Sequence, residues 1–218
     1  DFITAPMISP LFSQCLAKQC VDAFTSLKFP SILGFGAGTG QMALDILTYL
    51  KAQDQLPKHY YILEVSADLI DRQQQLLKNT PDLFERVIWL NQLPESFNGV
   101  VLANEVLDAM PVELFRMHEH DLQQAFVESA DNAPVMHWQK ASASLAAMVA
   151  ALNVPFDEGY QSDINMNLPS WVAQVYEMMD SGVCLLIDYG FVRREYYHPD
   201  RNAGTLMCHY QHQAIPDP

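Results

Sequence analysis

Basic residues are scarce in this sequence: 12 Lys and Arg stand against 26 Asp and Glu, a formal net charge of −14. Such a surface repels phosphate backbones, and no basic cluster beyond Arg193-Arg194 offsets it, so nucleic acid is not an expected partner. Long apolar runs are missing too, and no segment is expected to span a bilayer. The four cysteines, Cys15, Cys20, Cys184 and Cys208, contain no CxxC pair and are too sparse for a disulfide scaffold. Reduced thiols in a cytosol-like compartment are the expectation. No secretory signal opens the chain, which begins abruptly at "DFITAP". Without repeats, low-complexity tracts or a linker, 1–218 is expected to be a single domain.

Half of the 218 residues are apolar, enough for a sizeable core. Ser9 and Pro10 read as N-cap and first residue of a helix whose apolar positions include Leu16, Cys20, Phe24 and Leu27. After Pro30, "SILGF" reads as a buried strand entering a glycine loop, followed by a helix over "QMALDILTYLKAQ" and a second strand, "HYYILE", ending on Glu64. Ser66 caps the next helix, and "RVIWL" and "NGVVLAN" are two more strands. This alternation predicts a mostly parallel, doubly wound α/β sheet with its site at the carboxyl ends of the strands. The pattern then changes. "ELFRMH", "QQAFVES" and "APVMHWQ" read as antiparallel strands, with "HEHD" as the first turn and an alanine-rich helix after them. A helix around "WVAQVYEMMD" leads into the apolar strand "VCLLIDYG", and "GTLMCHY" is a further strand candidate.

The glycines at 36, 38 and 40 form GxGxG, not the GxGxxG of dinucleotide dehydrogenases. Closely spaced glycines let backbone amides approach a polar tail, and the helix N-terminus after Gly40 favours a carboxylate. S-adenosylmethionine has such a carboxylate, and its ribose needs an acceptor at the end of the second strand, where Glu64 stands. The alternative is a tight strand-to-helix link with Glu64 as a solvated acid. "LANEVLDAMPV" places Asn104, Glu105 and Asp108 after the fourth strand. A protonated guanidinium would need carboxylates to orient it and hold its charge, which makes Glu105 and Asp108 the catalytic candidates. Alternatively, Asp108 caps a turn and Glu105 pairs with a base. His118 and His120 read as a solvated hairpin, and the irregular spacing of His198, His209 and His212 is a weak metal signal, so no metal site is assigned.

Taken together, "DFITAPMISPLF", "GAGTG", "NEVLDAMPV", "LLIDYGF", "EYYHPDR" and "GTLMCHYQH" resemble the MidA-like S-adenosylmethionine-dependent methyltransferases. The resemblance implies a Rossmann-like class I methyltransferase sheet with an antiparallel insertion after the fourth strand. It implies S-adenosylmethionine as cofactor and a protein substrate, which for mitochondrial members is an arginine on a respiratory complex I subunit. The location it implies is cytoplasmic, or the mitochondrial matrix in a eukaryote. By position it assigns the cofactor to Thr4, Gly36, Ala37, Gly38, Thr39, Gly40, Glu64, Val65, Asn104, Asp188 and Tyr189, with the "DFITAP" stretch folded over the cleft. These 218 residues read as a partial member, incomplete at both ends. Two positions depart from the family. Gly34 stands where it has Glu, and Met7 where it has Glu in "TAPEIS". Without the acid at 34, cofactor affinity is expected to fall by roughly tenfold to a hundredfold, the worth of one charge-assisted hydrogen bond.

Overall fold

A computed structural model describes residues 4–130, 133–210 and 213–215. A single helical turn, α1 (Ala5–Ile8), precedes α2 (Pro10–Phe24). Ser9 caps α2 by accepting the Leu11 amide at 3.2 Å, and Pro10 fits the first helical position because an N–H there would have no partner in the helix. There follow β1 (Ser31–Phe35), α3 (Gln41–Ala52), β2 (Tyr60–Leu63), α4 (Ala67–Leu77), α5 (Pro81–Phe84), β3 (Val87–Leu90) and β4 (Phe97–Asn104). The sequence-predicted antiparallel strands are β5 (Glu113–His118), β6 (Asp121–Ala130) and β7 (Ala133–Lys140). After them come α6 (Ala143–Ala151), β8 (Gln161–Ile164), α7 (Leu168–Met178), β9 (Met179–Ile187), α8 (Arg193–Tyr196), β10 (Cys208–Tyr210) and β11 (Gln213–Ile215).

The described residues form two compact units, where the absence of a linker predicts one domain. Residues 4–109 and 172–188 make the first, and 110–171 with 189–215 the second. Each unit is discontinuous in sequence, so the chain crosses between them without any Gly/Pro-rich stretch to mark a boundary.

The first unit holds a five-stranded sheet in the order β3-β2-β1-β4-β9, with every pairing parallel. The order reverses between β1 and β4, which is where a doubly wound sheet opens a crevice at its carboxyl edge. Ile32, Tyr60, Ile62, Val100 and Leu102 share one core with Leu16, Ala17 and Cys20 of α2 and Ile46, Leu47 and Leu50 of α3. Strands packed this way need apolar residues throughout, and β1 is buried at all five positions. Ser31, Gly99 and Gly182 align across β1, β4 and β9. A Cβ on Gly99 would lie 1.8 Å from the Ser31 carbonyl oxygen, and one on Gly182 1.8 Å from that of Gly99, so both positions demand glycine. Gly182 is therefore a strand residue, inside β9. The apolar β9 ends the sheet order and leaves Val183 and Leu186 exposed, unlike β1.

The second unit holds an antiparallel sheet, β7-β6-β5-β8, over a core of Phe115, Leu145, Val149 and Ile164. The predicted "HEHD" turn joins β5 to β6, with Glu119 and His120 both at positive φ. Strand β10 pairs antiparallel with β11.

Candidate functional site

In the first unit, four predicted features follow directly from the carboxyl ends of parallel strands in register. The glycine loop follows β1, Glu64 follows β2, Asn104 ends β4, and Asp188 follows β9. The register pairs Phe35 with Leu63 and with Ala103, and Asn104 with Ile187, so these segments leave the sheet at one edge.

Gly36, Gly38 and Gly40 adopt φ of +57°, +51° and +88°, left-handed values that explain the spacing. The Gly40 amide donates to Ala37 O at 2.8 Å, closing a tight turn whose central residues are Gly38 and Thr39. Gly38 and Thr39 are exposed, and Ala37 is buried. A Cβ on Gly38 would meet open space, so the loop leaves room beside its amides for a polar tail. Gly40 then starts α3, whose first amides face the same direction as a helix dipole's positive end.

Glu64 is buried, 8% exposed, and its Oε1 accepts the amides of Val65 and Ser66, each at 2.9 Å. Its Oε2 accepts a hydrogen bond from Gln73 Nε2 at 3.3 Å. A carboxylate oxygen has two acceptor sites, so Oε2 keeps capacity for a hydroxyl. The reading of Glu64 as a solvated strand-end acid is thus replaced by a buried, oriented carboxylate. Val65 contributes its amide while its side chain is exposed. Gln73 escaped the sequence reading because it sits in the run "RQQQ". Yet it lies three and four residues from Ile70 and Leu77, on the helix stripe that packs inward.

After β4 the chain turns sharply. Glu105 has φ +50°, unusual for a residue with a side chain, and its amide donates to Ile187 O at 2.8 Å. Strain of this kind concentrates at functional sites. Asp188 Oδ2 accepts the amides of Leu107 and Asp108, at 3.0 and 3.1 Å. The "DYG" aspartate therefore shapes the acidic loop. Glu105 is half-buried and Asp108 exposed. Tyr189 is exposed and belongs to the second unit. Thr4 is the N-cap residue of α1, and its carbonyl accepts the Met7 amide at 2.9 Å. Residues 1–3 of the "DFITAP" stretch, and His212, lie outside the described residues. Among the described residues, no group of three or more His, Cys, Asp or Glu is arranged to hold a metal ion.

Gly34 sits mid-strand in β1, paired with Ile62 and Leu102. A Cβ there would lie 3.2 Å from Tyr60 Oη and 3.4 Å from Tyr60 Cε1. Tyr60 is fully buried, and its hydroxyl has no hydrogen-bond partner among the described residues. The space that a side chain at 34 would enter is thus occupied by this ring.

The family described as "Putative S-adenosyl-L-methionine-dependent methyltransferase" matches residues 15–218. Among curated relatives, the chain is 25% identical over 248 residues to the protein arginine methyltransferase NDUFAF7 homolog, mitochondrial, of Drosophila melanogaster, covering 100% of this chain and 55% of that protein. It is 24% identical over 249 residues to the Rattus norvegicus NDUFAF7, covering 98% and 53%. The chain thus spans about half the length of the curated relatives it matches. A crystal structure of a COG1565 superfamily member from Burkholderia thailandensis, bound to S-adenosyl-homocysteine, superposes with a TM-score of 0.91 at 42% identity, covering 100% of this chain and 57% of that one. A native structure of a COG1565 protein from the same organism gives 0.92 at 40% identity, with coverage of 100% and 59%.

Proposed function

Because the chain belongs to this family of S-adenosylmethionine-dependent methyltransferases, we propose that it carries the cofactor-binding half of a protein methyltransferase that acts on arginine. The observation that carries this reading is Glu64: a buried carboxylate at the end of β2, one oxygen fixed by two amides, in register with a left-handed glycine loop. In the loop over Gly36, Ala37, Gly38, Thr39 and Gly40, amides other than that of Gly40, which is bonded to Ala37 O, would receive the carboxylate of S-adenosylmethionine. Glu64 Oε2 would accept a ribose hydroxyl on its remaining lone pair, with Val65, Asn104, Thr4 and Asp188 completing the set that the first unit carries. When bound, the cofactor supplies a methyl group on an electrophilic sulfonium.

The chain's own task is to align a nucleophile and hold its charge. Glu105 and Asp108 would accept hydrogen bonds from a guanidinium, orient it and receive its proton as the nitrogen is alkylated. Asp188 keeps that loop in shape through the amides of Leu107 and Asp108. The named relatives are mitochondrial, and a matrix location for a eukaryotic source, or the cytoplasm for a bacterial one, accompanies this reading. A complex I subunit is the substrate class that the resemblance to the MidA-like family implies, and we assign it on that ground.

Calorimetric titration with S-adenosylhomocysteine, followed by radiolabelled methyl transfer to arginine-containing peptides, tests the reading. Binding in the micromolar range that is lost in Glu64→Ala supports it. Absence of binding by a full-length protein containing this chain would overturn it.

A second reading rests on Gly34: a methyltransferase scaffold with impaired turnover that serves as a binding module. The Tyr60 ring fills the space of the missing acid, so Gly34→Glu has to be made with Tyr60→Phe as well as alone. If neither variant binds the cofactor more tightly, the absent acid is not what limits this chain.

A further inference from the structure

Resting on that cofactor assignment, we propose that Gln73 is a positioning residue that locks the glycine loop and the ribose-binding carboxylate into one geometry. Gln73 lies on α4 with its side chain completely buried. Its Nε2 donates to Gly38 O at 2.8 Å and to Glu64 Oε2 at 3.3 Å, and its Oε1 accepts the Trp89 indole N–H at 2.8 Å.

This arrangement admits one orientation of the amide. The indole nitrogen is only a donor, whereas a carbonyl and an ionised carboxylate only accept. Turning the amide over would set donor against donor at Trp89 and acceptor against acceptor at Gly38 and Glu64. Both Nε2 hydrogens are used, and β3, through Trp89, decides which end of Gln73 faces the site.

The loop is held in two respects. A trans peptide places its carbonyl and the following N–H on opposite sides. With Gly38 O held on Gln73, the Thr39 N–H points away from α4, toward the loop's exposed side. At the same time Glu64 Oε2 is fixed, leaving its remaining lone pair in a set direction. Gly40 belongs to this device too, since a Cβ there would come within 3.2 Å of Gln73 Cγ and 3.3 Å of its Cα. One amide thereby sets the distance between the groups assigned to the methionyl tail and to the ribose.

The test compares wild type with Gln73→Met, close in volume but without hydrogen bonds, and with Trp89→Phe, which removes only the orienting donor. Two readouts are taken. In the ligand-free protein, amide hydrogen exchange should accelerate at 36–40 and at 64–66 together in Gln73→Met, and less in Trp89→Phe. In titrations, wild type should prefer S-adenosylhomocysteine over its 2′,3′-dideoxy analogue by roughly tenfold or more, and Gln73→Met should reduce that preference to about threefold or less. A residue that only fills the core would lower thermal stability and leave the ribose preference intact. A folded Gln73→Met variant with wild-type exchange in both loops and an unchanged preference would overturn the proposal. If wild type binds neither ligand while the exchange of both loops still responds, the cofactor reading fails and the mechanical coupling stands.

Discussion

Glu64 and Asp163 are both buried carboxylates, one in each unit, and no basic side chain forms an ion pair with either among the described residues. They are held in different ways. Glu64 is captured locally, by the amides of the next two residues, with Gln73 nine residues on. Asp163, 2% exposed on β8, is captured from far along the chain. It accepts the Tyr196 hydroxyl, the Thr205 hydroxyl at 2.9 Å and the Thr205 amide at 3.4 Å, while Tyr197 Oη donates to its carbonyl at 3.4 Å. Burial, and then the hydrogen bond to Asp163, push the Tyr196 hydroxyl above its ordinary range. A buried charge must be solvated by something, and here dipoles replace water in both cases. A locally solvated acid keeps an oxygen for a ligand. Asp163 instead spends its acceptors on fastening residues 196–205 to β8.

Removing each acid should separate the two roles most strongly at Asp163. Asp163→Ala removes the acceptor of the half-buried Tyr196 hydroxyl and Thr205 amide, while the Thr205 hydroxyl keeps the Tyr196 oxygen as partner at 2.8 Å, so a loss of about 2 kcal/mol is expected by denaturant unfolding. Hydrogen exchange should rise in β8 and in 196–205, with the parallel sheet spared. Equal loss of protection in β1 and β4 would contradict the local character of this network.

Glu64→Gln should behave in the opposite manner. The amides of Val65 and Ser66 keep an acceptor, so stability is expected to change by under about 1 kcal/mol. The new NH₂ group opposes the Gln73 donor and cannot accept ribose hydroxyls, so affinity for S-adenosylhomocysteine should fall roughly tenfold to a hundredfold. A variant that lost stability but kept affinity would reverse the comparison.

The contrast also explains how much could be read from the residues. Strand ends, the GxGxG spacing and Ser9 and Ser66 as helix caps are local patterns, and the position of Glu64 after β2 is local too. The antiparallel insertion was legible from alternation in "ELFRMH" and its neighbours. What was hidden depends on long-range partners. Asp163 looks like any polar residue in "YQSDIN" until Tyr196 and Thr205 arrive. Gln73 is one of three consecutive glutamines, and only the helical stripe singles it out. The division into two units left no linker, and the apolar run of β9 does not report its place in the sheet.

A smaller effect is expected at Gly34, in the middle of β1. Gly34→Ala places a Cβ 3.2 Å from Tyr60 Oη inside a packed core and should cost about 1 kcal/mol. Tyr60→Phe removes that oxygen, whose hydrogen bond is unmet, and leaves the nearest contact at 3.4 Å. The double variant should therefore recover most of the loss, as measured in a thermodynamic cycle. An additive cycle would mean that the ring does not occupy the space of the side chain at 34.

The smallest effect concerns a third carboxylate, exposed and also held by backbone amides. Glu158 accepts the amides of Glu119 at 2.8 Å and His120 at 3.1 Å, stabilising a hairpin turn whose two central residues both have positive φ. The hydrogen bonds from His120 and then Glu119 lower the Glu158 pKa below its usual 4.5. A lowered folded-state pKa adds stability that is present above 4.5 and lost as pH falls through the lower value. Amide exchange at 119 and 120, corrected for intrinsic rates, should therefore accelerate as pH falls through that lowered value, and Glu158→Gln should flatten that dependence. Because the group is exposed and screened, global stability should hardly move, unlike the response to loss of Asp163. If acid loosened the β5–β6 turn equally in Glu158→Gln, the carboxylate would not be what holds it.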